Sequence, residues 1–150
     1  MPPEYGSPSR VVLWADVRAR LEDAPQYWLA TTRPDGRPHT VPTDGLWLDD
    51  AFWFGGSPRT VKHRNLTADG RASLHLPDAT ASTIVEGVCD VYRPDAAHAG
   101  RLVRASTAKY GYAPPPNAYV EGVWRLRPVK VMAWTSLTED ATRFRFLPRT

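Results

Sequence analysis

The residues best equipped for chemistry lie in one segment, Gly55-Gly-Ser-Pro-Arg-Thr-Val-Lys-His-Arg-Asn-Leu66, directly after the aromatic run Phe52-Trp-Phe54. Two adjacent glycines let a ligand come close to the backbone. Ser57 reads as a helix cap and Pro58 as the first helical residue. The first turn then carries Arg59, with Lys62, His63 and Arg64 behind it. Positive charge at a helix N-terminus opposes the macrodipole, at roughly 0.3–1 kcal/mol for each exposed charge. An anion docked on the free amides removes that conflict. Arg59 and Lys62 are three apart, so a helix would place them on one face. Together with Gly55, Gly56 and Ser57 they form an expected phosphate cradle. The competing reading is a solvated basic face, which a lone Lys or Arg would favour. Here the preceding glycines favour a ligand. His63 reads as a packing or surface residue rather than a general base.

Other chemistries find no support. There is no Gly-x-Ser-x-Gly, no His-Glu-x-x-His and no paired metal-ligand spacing, so no metal site is expected. The single cysteine, Cys89, excludes an internal disulfide and alternates with core positions, as a small buried residue would. His39 and His75 fall on predicted strands and read as structural. Net charge is +3 and the pI about 9.2, carried mostly by arginine. Without a run of adjacent basic residues, this balance points to a small polyanionic ligand rather than nucleic acid. No apolar stretch approaches the roughly 20 residues that span a bilayer. With one cysteine and no leader pattern at Met1-Pro-Pro-Glu, the expected location is cytoplasmic.

The elements that must position the segment are mostly strands. A poorly ordered tail is expected over residues 1–8 and an amphipathic helix from Ser7-Pro8 to about Asp23, with Leu13, Trp14, Val17 and Leu21 inward. Strands are predicted at 26–33, 38–48, 51–55, 71–76, 83–93, 119–134 and 142–147, with an Asp35-Gly36 turn after the first. Helices are predicted at 58–66 and 95–110, with an irregular Pro-rich loop over 111–117. The apolar parity switches at Pro128, which predicts a bulge or a barrel corner. A fraction of 42% hydrophobic residues supports one ordinary domain over 1–150. The fold class is therefore mainly β (α+β), an antiparallel barrel of six to seven strands with short peripheral helices. Of the six tryptophans, only Trp134 is singled out as a ring-stacking candidate; the others read as core or contact residues.

The run Tyr27-Trp-Leu-Ala-Thr-Thr-Arg-Pro-Asp-Gly-Arg-Pro-His-Thr-Val-Pro42 resembles the split-barrel flavin-binding superfamily typified by pyridoxamine 5′-phosphate oxidase. The likeness continues through Phe52-Trp-Phe54, Pro58-Arg59…Lys62…Arg64-Asn-Leu66, Arg71-Ala-Ser-Leu-His75, Val85-Glu-Gly87 and Trp124-Arg-Leu-Arg-Pro128…Ala133-Trp134. It covers roughly residues 10–147 and looks closest to the actinobacterial branch that includes deazaflavin (coenzyme F420)-dependent reductases. The resemblance implies a split barrel and a homodimeric oxidoreductase with the cofactor across the dimer interface. It implies ring contacts from Thr40, Val41, Pro42 and Thr43, and a phosphate approach lined by Gly55, Gly56 and Ser57. Arg59 and Lys62 would bind phosphate, and Asn65 would hold the helix in place. Ser82 and Thr83 would reach the ribityl chain from the partner, and Trp134 and Arg143 would complete the pocket. Coenzyme F420 is the first-choice cofactor and FMN the second; a non-catalytic flavin, deazaflavin or heme carrier is the rival class. The terminal Arg-rich segment that recognises pyridoxal phosphate has only a loose echo in Arg143-Phe-Arg145, which argues against pyridoxamine phosphate as the substrate.

Overall fold

In β1 (Tyr27–Thr32) Tyr27, Leu29 and Thr31 are buried while Trp28 and Thr32 are exposed, the two-residue alternation of a strand with one face in the core. The same alternation runs through β6 (Thr83–Tyr92). The computed structural model describes residues 2–147. Its remaining strands are β2 (Pro38–Thr43), β3 (Leu46–Leu48), β4 (Ala51–Phe54), β5 (Arg71–His75), β7 (Val123–Ala133) and β8 (Thr142–Arg145). All are antiparallel, in the order β2-β1-β5-β6-β7-β4-β3, with β8 added to β7. The consecutive strands β2 and β3 lie at opposite ends of this path, so the sheet must curl until its two edges meet. They meet without pairing, which makes the barrel split. Five helices lie around it: α1 (Trp14–Asp23), α2 (Val61–Ala68), α3 (Ala96–Tyr110), α4 (Pro116–Glu121) and α5 (Leu137–Asp140). No helix among the described residues is long and apolar enough to cross a membrane.

Inside the curl, Tyr27, Leu29, Phe52, Leu74, Val85, Leu126 and Val131 form the main core, capped by Val17 and Leu21 of α1. A second cluster joins Leu46, Ala51 and Trp53 to Leu102 of α3 and to Val123. The parity switch at Pro128 is a bulge. Glu86 pairs with Lys130 and Gly87 with Pro128, leaving Val129 as the extra residue. Cys89 is a buried core thiol whose pKa burial pushes up to about 12.

Four expectations need correction. The first helix starts at Trp14, not at Ser7-Pro8: Leu13 is extended, and the segment before it is tied to the C-terminal part of the chain. The Arg10 amide donates to the Glu139 carbonyl and the Val12 amide to Thr142 Oγ1. Leu13 is consequently 62% exposed, while Trp14 packs on Phe144 and Phe146. The predicted strand over 38–48 is two strands, broken at Asp44-Gly45, which raises the count to eight. Residues 116–121 form a helix, so β7 starts at Val123 rather than Tyr119; Pro116 occupies the first helical turn, where a missing N–H costs nothing. The helix of the glycine segment starts later than expected, as described below.

The break at Asp44-Gly45 tolerates no side chain. A Cβ on Gly45 would lie 2.3 Å from Phe52 Cζ and 2.7 Å from the Trp53 carbonyl oxygen. Gly45→Ala should lower stability by about 1–3 kcal/mol through overpacking. This is read as a lower urea midpoint at unchanged slope. A wild-type midpoint would show that the two barrel edges do not close this tightly.

Candidate functional site

The helix after the glycines begins at Val61. Its cap is Thr60, whose side-chain oxygen accepts the His63 amide. Ser57 and Pro58 belong to a preceding turn, in which Ser57 Oγ accepts the Arg59 amide and the Ser57 carbonyl accepts the Thr60 amide. The expected single helical face for Arg59 and Lys62 is therefore wrong. Arg59 precedes the helix and is exposed, while Lys62 lies in its first turn and is half-buried. Asn65 has the anchoring role expected of it: it is buried and donates through Nδ2 to Thr31 Oγ1 at 3.0 Å, pinning α2 to β1. His63 packs edge-on against Trp124 and accepts the indole N–H at Nδ1.

Lys62 reaches across to the end of β2. Its Nζ donates to Thr43 Oγ1 at 3.1 Å and lies 5.6 Å from the centre of the Phe54 ring. Burial lowers its pKa, and Asp44 partly offsets this. Gly56 faces the ammonium with φ +135°, and a Cβ there would lie 3.3 Å from Lys62 Cε. The space before the amine therefore exists because residue 56 has no side chain. Lys62, Thr43, Pro42, Gly55, Gln26 and Asp44 line an open cavity of about 430 Å³. One ammonium, one hydroxyl and a bare glycine backbone form a donor set suited to an oxyanion such as phosphate, with the Asp44 carboxylate also in the lining and pairing electrostatically with Lys62. Of the other expected residues here, Thr40 is exposed and Val41 half-buried further along β2, and Ser57 and Arg59 lie outside the cavity lining.

A second group sits at the far side of the sheet. Trp134 and Arg143 line a cleft of about 650 Å³ with Met132, Leu137, Ala141 and Tyr5, the last from a single 3-10 turn at Pro3–Tyr5. Ser82 and Thr83 stand behind it, buried inside the protomer. The Ser82 carbonyl accepts the Trp134 amide, and Thr83 pairs with Ala133.

The two groups share one face of the sheet. Strand pairing puts Pro42, Trp28, His75, Ile84, Met132 and Arg143 in a single transverse row. Five strand spacings separate its ends, about 24 Å along the sheet. Between them Trp28 is 37% exposed and stacks on His75. Sequence reasoning did not single out this row. The alternation of β1 alone would have turned Trp28 outward.

Sequence reasoning also missed the support beneath Thr43. Lys109 Nζ, on the last turn of α3, donates to the Gly45 carbonyl at 3.0 Å and to Tyr27 Oη at 2.7 Å. The Gly45 amide donates to Tyr110 Oη, which donates to the Pro25 carbonyl. Two side chains from one helix thus hold both backbone groups of Gly45.

A family model described as pyridoxamine 5′-phosphate oxidase matches residues 13–135. The chain belongs to the pyridoxamine 5′-phosphate oxidase family. Similar solved structures differ in what they hold. An F420 reductase is 25% identical, with TM-score 0.56, over 74% of this chain and 92% of that one. A heme-binding protein from Mycobacterium smegmatis is 23% identical, with TM-score 0.67, over 90% and 59%. An FAD-binding protein from Mesorhizobium loti is 17% identical, with TM-score 0.59, over 81% and 94%. No curated protein matches the chain in sequence. Membership of the family accounts for the curled sheet.

Burial lowers the Lys109 ammonium from its ordinary 10.5 to about 8, against the pull of Asp23 and Asp44. Between those values the unfolded chain binds a proton that the folded chain has released, so this group's contribution to stability rises with pH. The stability gap between wild type and Lys109→Met should therefore widen in favour of wild type from about pH 8 towards 10.5. Thermal unfolding across that range reads it. A constant gap would mean that the amine keeps its ordinary acidity.

Proposed function

We propose that the protein is a homodimeric oxidoreductase that binds a flavin or deazaflavin between its protomers, with coenzyme F420 the first choice and FMN the second. The observation that carries this reading is the Lys62–Thr43 bond across the side-chain-free Gly56. It joins the end of β2, where ring contacts are expected, to the loop where a phosphate is expected. Family membership and the likeness to an F420 reductase support the choice of cofactor. When bound, such a group supplies hydride transfer to or from its tricyclic ring. The chain's own residues orient it. Lys62 and the Thr43 hydroxyl hold the phosphate, with Arg59 on the exposed turn before the helix as a second cation, Gly55 and Gly56 give the backbone room, and Pro42 lies along the ring.

The transverse row supports the dimer reading. Along the sheet the phosphate end at Pro42 and the cleft end at Arg143 stand five strand spacings apart on one protomer. A two-fold axis near the middle of the row would bring each Pro42 end to the partner's Arg143 end. It would cover Trp28, His75, Ile84 and Met132 at the same time. Such an interface is self-complementary, as a two-fold axis requires.

Replacing both Arg59 and Lys62 with alanine should raise the dissociation constant for F420 or FMN by roughly ten- to a hundred-fold. Tryptophan quenching reads the affinity, and an unchanged circular dichroism spectrum checks the fold. Unaltered affinity would remove the phosphate site. In sedimentation the protein should run as a dimer, and a strict monomer at all concentrations would contradict the shared site.

A further inference from the structure

The cleft at the Arg143 end differs chemically from the Lys62 cavity. Its walls are mostly aromatic and apolar, with Trp134, Tyr5, Met132, Leu137 and Ala141 beside the single uncharged polar residue Thr142. Arg143 is the single charged residue that lines it, and among the described residues no carboxylate pairs with that guanidinium. Its volume of about 650 Å³ falls within the range of small-molecule pockets, roughly 300–1,000 Å³.

The wall is also built to keep its shape. Buried Asp140 accepts the Thr135 and Ser136 amides at 2.8 and 2.9 Å, and the Thr135 hydroxyl as well. Those bonds, the Thr135 hydroxyl's first, hold its carboxyl below the usual range. They fix the turn from Trp134 into α5, so Trp134 and Leu137 face the cleft from a braced loop. On the other side the Arg20 guanidinium donates to the Trp134 carbonyl.

We propose that this cleft is the substrate side of the shared site and takes a planar, largely apolar molecule carrying one negative charge, such as an aromatic carboxylate. The inference rests on the proposed oxidoreductase reading. A phosphorylated cofactor finds its cation and hydroxyl at Lys62 and Thr43. A second anion-binding group surrounded by aromatic and aliphatic side chains instead suits a flat ring bearing a single acid. Trp134 and Tyr5 supply the ring contacts, and Arg143 supplies a two-pronged contact to the carboxylate. Tyr5 also makes the N-terminal turn a specificity wall.

Two probes of equal shape test this: 2-naphthoate and its uncharged counterpart 2-naphthalenemethanol, both followed by tryptophan quenching. Trp134→Phe should abolish the quenching, which assigns the signal to the cleft. The acid should bind wild type at least about ten-fold more tightly than the alcohol. Arg143→Gln should erase that ratio by weakening the acid alone, and Tyr5→Ala should weaken both. Equal binding of the two probes, or a ratio that survives Arg143→Gln, overturns the proposal. Titration of the same samples with FMN and F420 separates the two ideas. Acid selectivity without cofactor binding leaves the cleft's ligand preference standing and removes the oxidoreductase reading. Cofactor binding without acid selectivity removes the cleft assignment alone.

Discussion

Everything in this barrel depends on how closely the chain passes itself at Gly45. The ladder runs from β2 at one edge to β3 at the other, yet only Asp44 and Gly45 separate the two strands in sequence. Two residues span only about 7 Å, so the sheet has no choice but to curl. The pairing of β3 with β4 brings the Phe52 ring against the Gly45 backbone, leaving no room for a Cβ. Lys109 and Tyr110 then satisfy both backbone groups of Gly45 from outside. Without that seam, Thr43 would not meet Lys62, and the cavity in front of the glycine loop would not form.

The same seam explains what the sequence concealed. Alternation and turn residues made most of the strands legible, including the bulge at Pro128, because these are local signals. The break at Asp44-Gly45 was not legible. A glycine inside an apolar run reads as a weak strand position, and its real cause is Phe52 seven residues away. The site shows a similar division. Gly55, Gly56 and Lys62 stood out by type and spacing, and the structure joins them to Thr43. The cap was misassigned because Ser57-Pro58 and Thr60 are both good helix starts, and only the hydrogen bond from the His63 amide decides between them. Lys109 lay outside the reading altogether, since its partners Tyr27 and Gly45 are more than sixty residues distant.

Charge is distributed unevenly over the face that carries both ends of the site. At one end a half-buried lysine sits by a hydroxyl, bare backbone and the Asp44 carboxylate. At the other a guanidinium stands among aromatic and aliphatic side chains. The row between them is dominated by Trp28, His75, Ile84 and Met132 and contains no acidic residue. Its side chains are therefore mostly apolar or aromatic, which is the surface the proposed dimer would cover. The family fold supplies the curl, and the particular residues on its outer face make the two ends chemically different.

The central claim is that neither end suffices without the partner's other end. It is tested most directly by measuring cofactor affinity across protein concentrations that span dimer dissociation. Binding confined to the dimer must tighten the dimer in return, by thermodynamic linkage. The account predicts that affinity for F420 or FMN rises with protein concentration and that all bound cofactor sediments with the dimer. Equal affinity in monomer and dimer would contradict it and place the whole site within one chain.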